Sequence, residues 1–94
     1  MAQGSSVKKV PGGKLIRIDL DYSDRIEAVK ITGDFFLHPE ELLTEIEERL
    51  VGLAFPFRKD LLIQELEKIL QSHEATLVGI RPEDIADTLE AALQ

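Results

Sequence analysis

The sequence predicts a small α+β domain: an antiparallel sheet of two or three strands, followed by three helices packed on one of its faces. Three observations carry that prediction. Lys14 to Tyr22 alternates, with Ile16, Ile18, Leu20 and Tyr22 on one side and Arg17, Asp19 and Asp21 on the other, the period of a half-buried strand. A polar turn, Ser23-Asp24-Arg25, leads into a second apolar run, Ile26 to Thr32, which reads as the return strand of a hairpin. After it come three segments with apolar residues three and four apart, the period of amphipathic helices. Strands first and helices after is the order of an α+β layer architecture.

Each element follows in turn. Residues 1–6, Met1-Ala2-Gln3-Gly4-Ser5-Ser6, lack the apolar core of a signal peptide and are expected to form a disordered lead-in. Residues 7–94 are expected to form one domain. Val7 to Val10 reads as a short edge strand and Pro11-Gly12-Gly13 as a turn. In the return strand Val29 and Ile31 point inward, while Ile26 and Ala28 have the opposite parity, so a bulge or irregular start is expected. Helix one is predicted over Pro39–Val51, with proline at the first helical position, Glu40 and Glu41 in the first turn, and Gly52 as C-cap. Helix two is predicted over Arg58–Ser72, with Leu62, Ile63, Leu66, Ile69 and Leu70 inward. Thr76-Leu77-Val78 is extended, and helix three runs over Pro82–Leu93.

Composition narrows the function. A chain of 94 residues with 44% hydrophobic and 31% charged residues is a globular domain with a modest core. No apolar run approaches the roughly 18 residues of a membrane span. With no cysteine there is no disulfide, no thiolate nucleophile and no cysteine-held metal; the cytoplasm is the default compartment. The formal charge is −7 and is unevenly spread. The first 17 residues carry Lys8, Lys9, Lys14 and Arg17 and no acid, leaving seven basic residues against all 18 acids in the rest. So acidic a surface argues against nucleic acid as a ligand.

Two stretches stand out for chemistry. Gly12-Gly13-Lys14 looks like a scrap of phosphate loop, but the chain has Lys8 where a Walker loop needs its first glycine, and a strand follows where a helix should. It is either a glycine turn beside an exposed lysine, or a loop that lends amides and one ammonium to an anion held mostly by another protein. Gly33-Asp34-Phe35-Phe36 places two adjacent aromatics in extended chain, so they point to opposite sides: one into the core, the other toward a partner. Asp34 reads as a carboxylate that caps the turn amides after Gly33 rather than as an acid or base. Phe55 and Phe57 flank the far end of helix one, as Phe35 and Phe36 flank its start; the four form either a mini-core or an exposed patch. His38, a polar residue at a helix start, and His73 are the only histidines, too few for a zinc site, so no metal is expected. Glu45, Glu47, Glu48 and Arg49 read as a solvated helix face. No paired carboxylates span a cleft, so the chain is not expected to be an enzyme by itself.

Taken together, Lys9-Val10-Pro11-Gly12-Gly13-Lys14-Leu15, Ile31-Thr32-Gly33-Asp34-Phe35-Phe36 and Gly79-Ile80-Arg81-Pro82-Glu83-Asp84-Ile85 resemble the accessory, C-terminal-type domain of lipoate-protein ligases. The resemblance covers nearly all of the chain beyond residue 6; Arg81 departs from it, standing where a Ser or Thr helix cap is expected. Free of a catalytic domain, the chain looks like the small subunit of a bipartite, archaeal-type ligase. The resemblance implies a heterodimer with a catalytic subunit that binds ATP, magnesium and lipoate, makes lipoyl-adenylate and passes lipoyl to an acceptor lysine. It implies that the small subunit is needed for the activation step, binds no cofactor alone, and meets lipoyl-acceptor domains only indirectly. Gly12, Gly13 and Lys14 would then lie near the adenylate, and Gly33, Asp34, Phe35 and Phe36 at the partner interface. The same fold is grouped with sulfur-assembly scaffold domains, so a non-catalytic binding or regulatory module is the alternative.

Overall fold

The computed structural model describes residues 2–93. Strands β1 (Ala2–Lys9), β2 (Leu15–Tyr22) and β3 (Ile26–Gly33) form an antiparallel meander in that spatial order. Two short strands, β4 (Phe36–His38) and β5 (Thr76–Val78), pair antiparallel as a separate ribbon. The helices are α1 (Leu42–Leu50), α2 (Lys59–Ser72) and α3 (Pro82–Ala92). Helix α3 lies on β1 and β2, α1 lies on β3, and α2 packs on α3. The fold is α+β, as the sequence predicts.

The alternation in β2 builds the core. Ile16, Ile18 and Leu20 are buried on the helix side, with Ile31 of β3 beside them. Against these pack Leu42, Ile46 and Leu50 of α1 and Ile85, Ala86, Leu89 and Ala92 of α3, with Leu62, Leu66 and Ile69 of α2 in the same cluster. The parity conflict in β3 resolves as a bulge. Asp21 pairs with Ala28 but Tyr22 pairs with Ile26, so Glu27 is the extra residue and Ile26 returns to the buried side.

Three expectations are corrected. The lead-in over residues 1–6 is strand from Ala2 onward, paired residue for residue with β2 out to Ala2 opposite Tyr22; Met1 lies outside the described residues. Gly4 permits it: a Cβ there would collide with the Ala92 carbonyl of α3, so only glycine lets the strand approach the helix this closely. Helix one begins at Leu42, not Pro39, and Glu41 is its N-cap residue. The segment before it is committed to the ribbon, and Pro39, Glu40 and Glu41 form the turn between ribbon and helix. His38 is accordingly a strand residue rather than a helix-start residue.

The acidic face of α1 is also not merely solvated. Glu47 Oε2 accepts the Ile31 N–H of β3 at 2.7 Å, Arg49 pairs with Glu65 of α2 at 2.6 Å, and Glu45 lies 3.4 Å from His73 at the end of α2. Helix α3 starts without the Ser or Thr cap. Its third-position carboxylate substitutes: Asp84 Oδ2 accepts the Arg81 N–H at 2.8 Å, and the Asp84 N–H donates to the Arg81 carbonyl at 2.9 Å.

Candidate functional site

Three turns that are far apart in sequence meet at one end of the sheet. The first is Pro11-Gly12-Gly13-Lys14, between β1 and β2. The second is Gly33-Asp34-Phe35, between β3 and β4. The third is Gly79, just after β5. The Lys14 N–H donates to the Gly79 carbonyl at 3.0 Å. The Leu15 N–H donates to Asp34 Oδ1 at 2.7 Å, and the Asp34 N–H donates back to the Leu15 carbonyl at 3.3 Å. Asp34 thus does the turn-capping work expected of it, but across the sheet, extending the β2–β3 ladder by one side chain.

Two glycines make this convergence possible. Gly79 has φ +101°, where a side chain is strained, and a Cβ there would run into the Lys14 side-chain stem. Gly33, at φ +155°, faces the Leu15 carbonyl and the Phe35 ring at a distance that leaves no room for a Cβ. The stem of Lys14 therefore lies across Gly79, with its residue exposed.

Four amides in and beside this loop are already used. Gly13 N–H donates to the Val10 carbonyl at 2.8 Å, Val10 N–H donates to the Lys14 carbonyl at 2.9 Å, and Lys14 and Leu15 donate as above. What the turn offers an anion is an ammonium, with the Gly12 N–H nearby in the same turn, rather than a cradle of N–H groups.

Nor is the whole basic segment available. Lys8 points to the helix side. Its Nζ is 2.9 Å from Asp87 and 2.8 Å from Asp84 Oδ1, the latter an ionic contact rather than a directed hydrogen bond. The Asp84 side chain is 1% exposed. Burial is the largest single influence on the Asp84 carboxyl and pushes it up, but Lys8, the Arg81 amide and the nearby positive charges together hold it below the usual carboxylate range. Lys59 and then Lys8 hold Asp87 down against burial. Asp84 first and Asp87 second hold the Lys8 ammonium above its usual value. Arg17 pairs with Asp19 at 2.9 Å. Of the four basic residues before position 18, Lys9 and Lys14 form no ion pair among the described residues.

Beside Lys14 stands an apolar surface. Phe35 packs against the core, while Phe36 is 55% exposed, the division that adjacent positions in extended chain require. Phe36 lies directly opposite Val78, itself 54% exposed, and the His38 ring is parallel to the Phe36 ring at 6.4 Å. On the other face of the ribbon Leu37 is buried. A depression of ≈ 460 Å³ adjoins Phe36, lined among others by Gly33, Phe35 and Leu43. Phe55 and Phe57 both pack half-buried on the core, Phe55 edge-on to Tyr22 at 5.4 Å, so the aromatics divide between the mini-core and the exposed patch. Among the described residues no group of three or more histidine or carboxylate side chains is placed to share a metal ion, and no helix is long and apolar enough to cross a membrane.

The structure brings Gly12, Gly13, Lys14, Gly33 and Asp34 into one unit, with Phe36 on its flank. Gly79 and Val78 complete it; Gly79 opens the third motif of the resemblance, but neither residue was among the expected site residues. The signal was a glycine between an extended triplet and a proline-led helix, which only pairing with Lys14 makes meaningful.

Comparison with known proteins bears on the family and the fold. Residues 5–89 match the family described as the bacterial lipoate protein ligase C-terminus. Lipoate-protein ligase A subunit 2 of Thermoplasma acidophilum is 30% identical over 76 residues, 80% of this chain and 76% of that protein. In fold, the chain is similar to one in the structure of a bipartite archaeal lipoate protein ligase and its E2 lipoyl domain, also from Thermoplasma acidophilum. The TM-score is 0.67 at 27% identity, over 95% of this chain and 93% of the other. With the family's match running from β1 into α3, the chain belongs to the lipoate protein ligase C-terminal family.

Proposed function

We propose that the chain is the small subunit of a bipartite lipoate-protein ligase, acting in the cytoplasm in a heterodimer with a catalytic subunit. The observation that carries this reading is the likeness to subunit 2 of the Thermoplasma ligase, in sequence and in fold, across most of both chains. The catalytic subunit would hold ATP, magnesium and lipoate; this chain would assist the activation of lipoate to lipoyl-adenylate before transfer to an acceptor lysine. Activation brings a carboxylate against the α-phosphate of ATP, and both are anionic. A cation fixed at the right place lowers that barrier by stabilising charge and by positioning. Lys14, with Gly12 and Gly13 in its turn, is the group this chain would bring to the adenylate. If the acceptor domains are acidic, as the family resemblance implies, the acidity of the rest of the chain makes it a poor docking surface for them, and they would be met only indirectly.

The test is reconstitution. Alone, the chain is expected to release no pyrophosphate from ATP and lipoate, and adding the catalytic subunit is expected to start release. Pyrophosphate from the chain alone, or a mixture no faster than the catalytic subunit by itself, would refute the proposal.

The partner surface in this reading is the outer face of the ribbon, with Gly33 and Asp34 shaping the turn and Phe36 as its anchor. Phe36→Ala is expected to weaken subunit binding by about 1–3 kcal/mol in calorimetric titration, as for an aromatic anchor. The melting temperature should barely move, because Phe36 is 55% exposed in the free chain. Phe35→Ala is expected to do the reverse, lowering the melting temperature through its core contacts. Normal binding by the Phe36 variant would remove the ribbon from the interface.

A further inference from the structure

We infer that Gly79 and Asp34 are positioning residues for Lys14 in the activation step. The inference rests on the role proposed above for Lys14 and extends it to two residues that offer no charge to the substrate from their own turns. Lys14 is fixed at three points. Its N–H is held by the Gly79 carbonyl at 3.0 Å. Its stem lies across the space that a Gly79 side chain would fill. The next N–H, on Leu15, is held by Asp34 Oδ1 at 2.7 Å. Only the ammonium end remains free, with no ion pair among the described residues. A lysine whose backbone and stem are restrained from two other turns delivers its charge to a narrower region than a lysine on an unsupported loop. Preorganisation of this kind matters for charge stabilisation, because a donor helps only where the charge develops.

The arrangement also accounts for chemistry that the turn alone does not explain. Asp34 is an exposed carboxylate bonded to the residue next to a cation that must meet an anion, which by itself would work against the site. Its Oδ1 is instead engaged with a backbone N–H, so the side chain acts as a bracket for the loop rather than as a partner for the Lys14 ammonium. Gly79 follows Val78 directly, so the strand that offers Val78 beside Phe36 also grips Lys14. Docking of a partner on the ribbon would therefore place the lysine in the same event.

The experiment is single-turnover formation of lipoyl-adenylate by the assembled ligase, with subunit binding and melting temperature measured for each variant. Gly79→Ala is expected to slow formation by about 100-fold, the order of effect of a misplacement of about 1 Å. Subunit binding should stay within about threefold, since neither Phe36 nor Val78 is altered. Adding Gly79→Ala to Lys14→Ala should cost no further rate, because a residue that acts only by placing the lysine has nothing left to place. Asp34→Asn, which keeps an oxygen to accept the Leu15 N–H, should retain most of the rate, whereas Asp34→Ala should not. Should Gly79→Ala not fold, Asp34→Ala and its double variant with Lys14→Ala read the same non-additivity. A slow Lys14→Ala ligase combined with a wild-type rate for both Gly79→Ala and Asp34→Ala would overturn the positioning role alone. So would double variants slower than Lys14→Ala by the full factor of the single changes. A wild-type rate for Lys14→Ala itself would overturn the role proposed for the lysine, and the positioning role with it.

Discussion

Lys14→Ala in the assembled ligase is expected to slow lipoyl-adenylate formation by about 10- to 1000-fold, the range found when one stabilising donor is removed from a developing negative charge. The reason lies in the loop's hydrogen bonding. The amides of Gly13, Lys14 and Leu15 are consumed within the fold, so the ammonium is the main group the turn can give to an anion. Subunit binding should stay near normal, because one exposed charge contributes little at an interface rim. Transfer from preformed lipoyl-adenylate to the acceptor should be untouched, since the acyl-phosphate bond is already made. Lys14→Arg should recover part of the rate only, a planar fork being a poor replacement for a compact ammonium. A wild-type rate in single turnover would leave Lys14 a solvated turn residue.

The second large effect concerns stability. Lys8→Ala is expected to destabilise the free chain by about 2–3 kcal/mol at neutral pH. Breaking a fully buried pair costs about 3–5 kcal/mol, and Lys8, one-third exposed, calls for a lower figure. The loss should depend on pH in a defined direction. In the parent chain Asp84 and Asp87 are held below their usual range, so their stabilisation is present above the unfolded carboxyl pKa of about 3.9 and is lost as pH falls through the lower folded values. Lys8 is held above 10.5, so its share is present below that value and lost as pH rises through the higher folded one. Without Lys8, only the Arg81 N–H and guanidinium oppose burial, and the Asp84 carboxyl moves up. The variant then carries a less compensated buried charge at neutral pH and sheds it on acidification. Thermal melts of both chains from pH 7 down to about pH 3 should show the gap narrowing. A gap that widens toward acid would mean that Lys8 does not neutralise Asp84.

Much of this fold was legible because its signals are local. The period of two in β2 survives in the burial of Ile16, Ile18 and Leu20, and the parity conflict at Ile26 and Ala28 was the bulge itself. Helices α2 and α3 follow their apolar periods to within a residue or two. What failed was decided by partners distant in sequence. Ala2-Gln3-Gly4-Ser5-Ser6 has no strand pattern of its own and becomes strand because β2 offers an edge and α3 a seat for Gly4. Phe36-Leu37-His38 is too short to show a period, and its partner strand is distant in sequence, with Leu37 opposite Leu77, 40 residues later; the pairing is visible only in three dimensions.

The site divides in the same way. Gly12-Gly13-Lys14 and Gly33-Asp34-Phe35-Phe36 could each be picked out by residue type. That the two touch, and that Gly79 joins them, depends on the meander bringing the start of β2 beside the end of β3. The charge pattern misled in one respect. Lys8 looked like part of a basic lead-in, but an alternating strand sends neighbouring lysines to opposite faces, and Lys8 was the one turned toward Asp84.

The carboxylate of Glu47 on the Ile31 N–H has a consequence for behaviour in concentrated solution. Strand β3 is an edge of the meander, and a bare edge is a template on which a second molecule can add a strand. Here an edge N–H is already occupied by the chain's own side chain, brought by a helix that also shields the strand. Self-association through that edge would have to displace a charged group and bury it, which is unfavourable. Strand addition at the β3 edge is therefore disfavoured, which leaves the apolar Phe36–Val78 surface as the more exposed route to self-association on that side of the molecule.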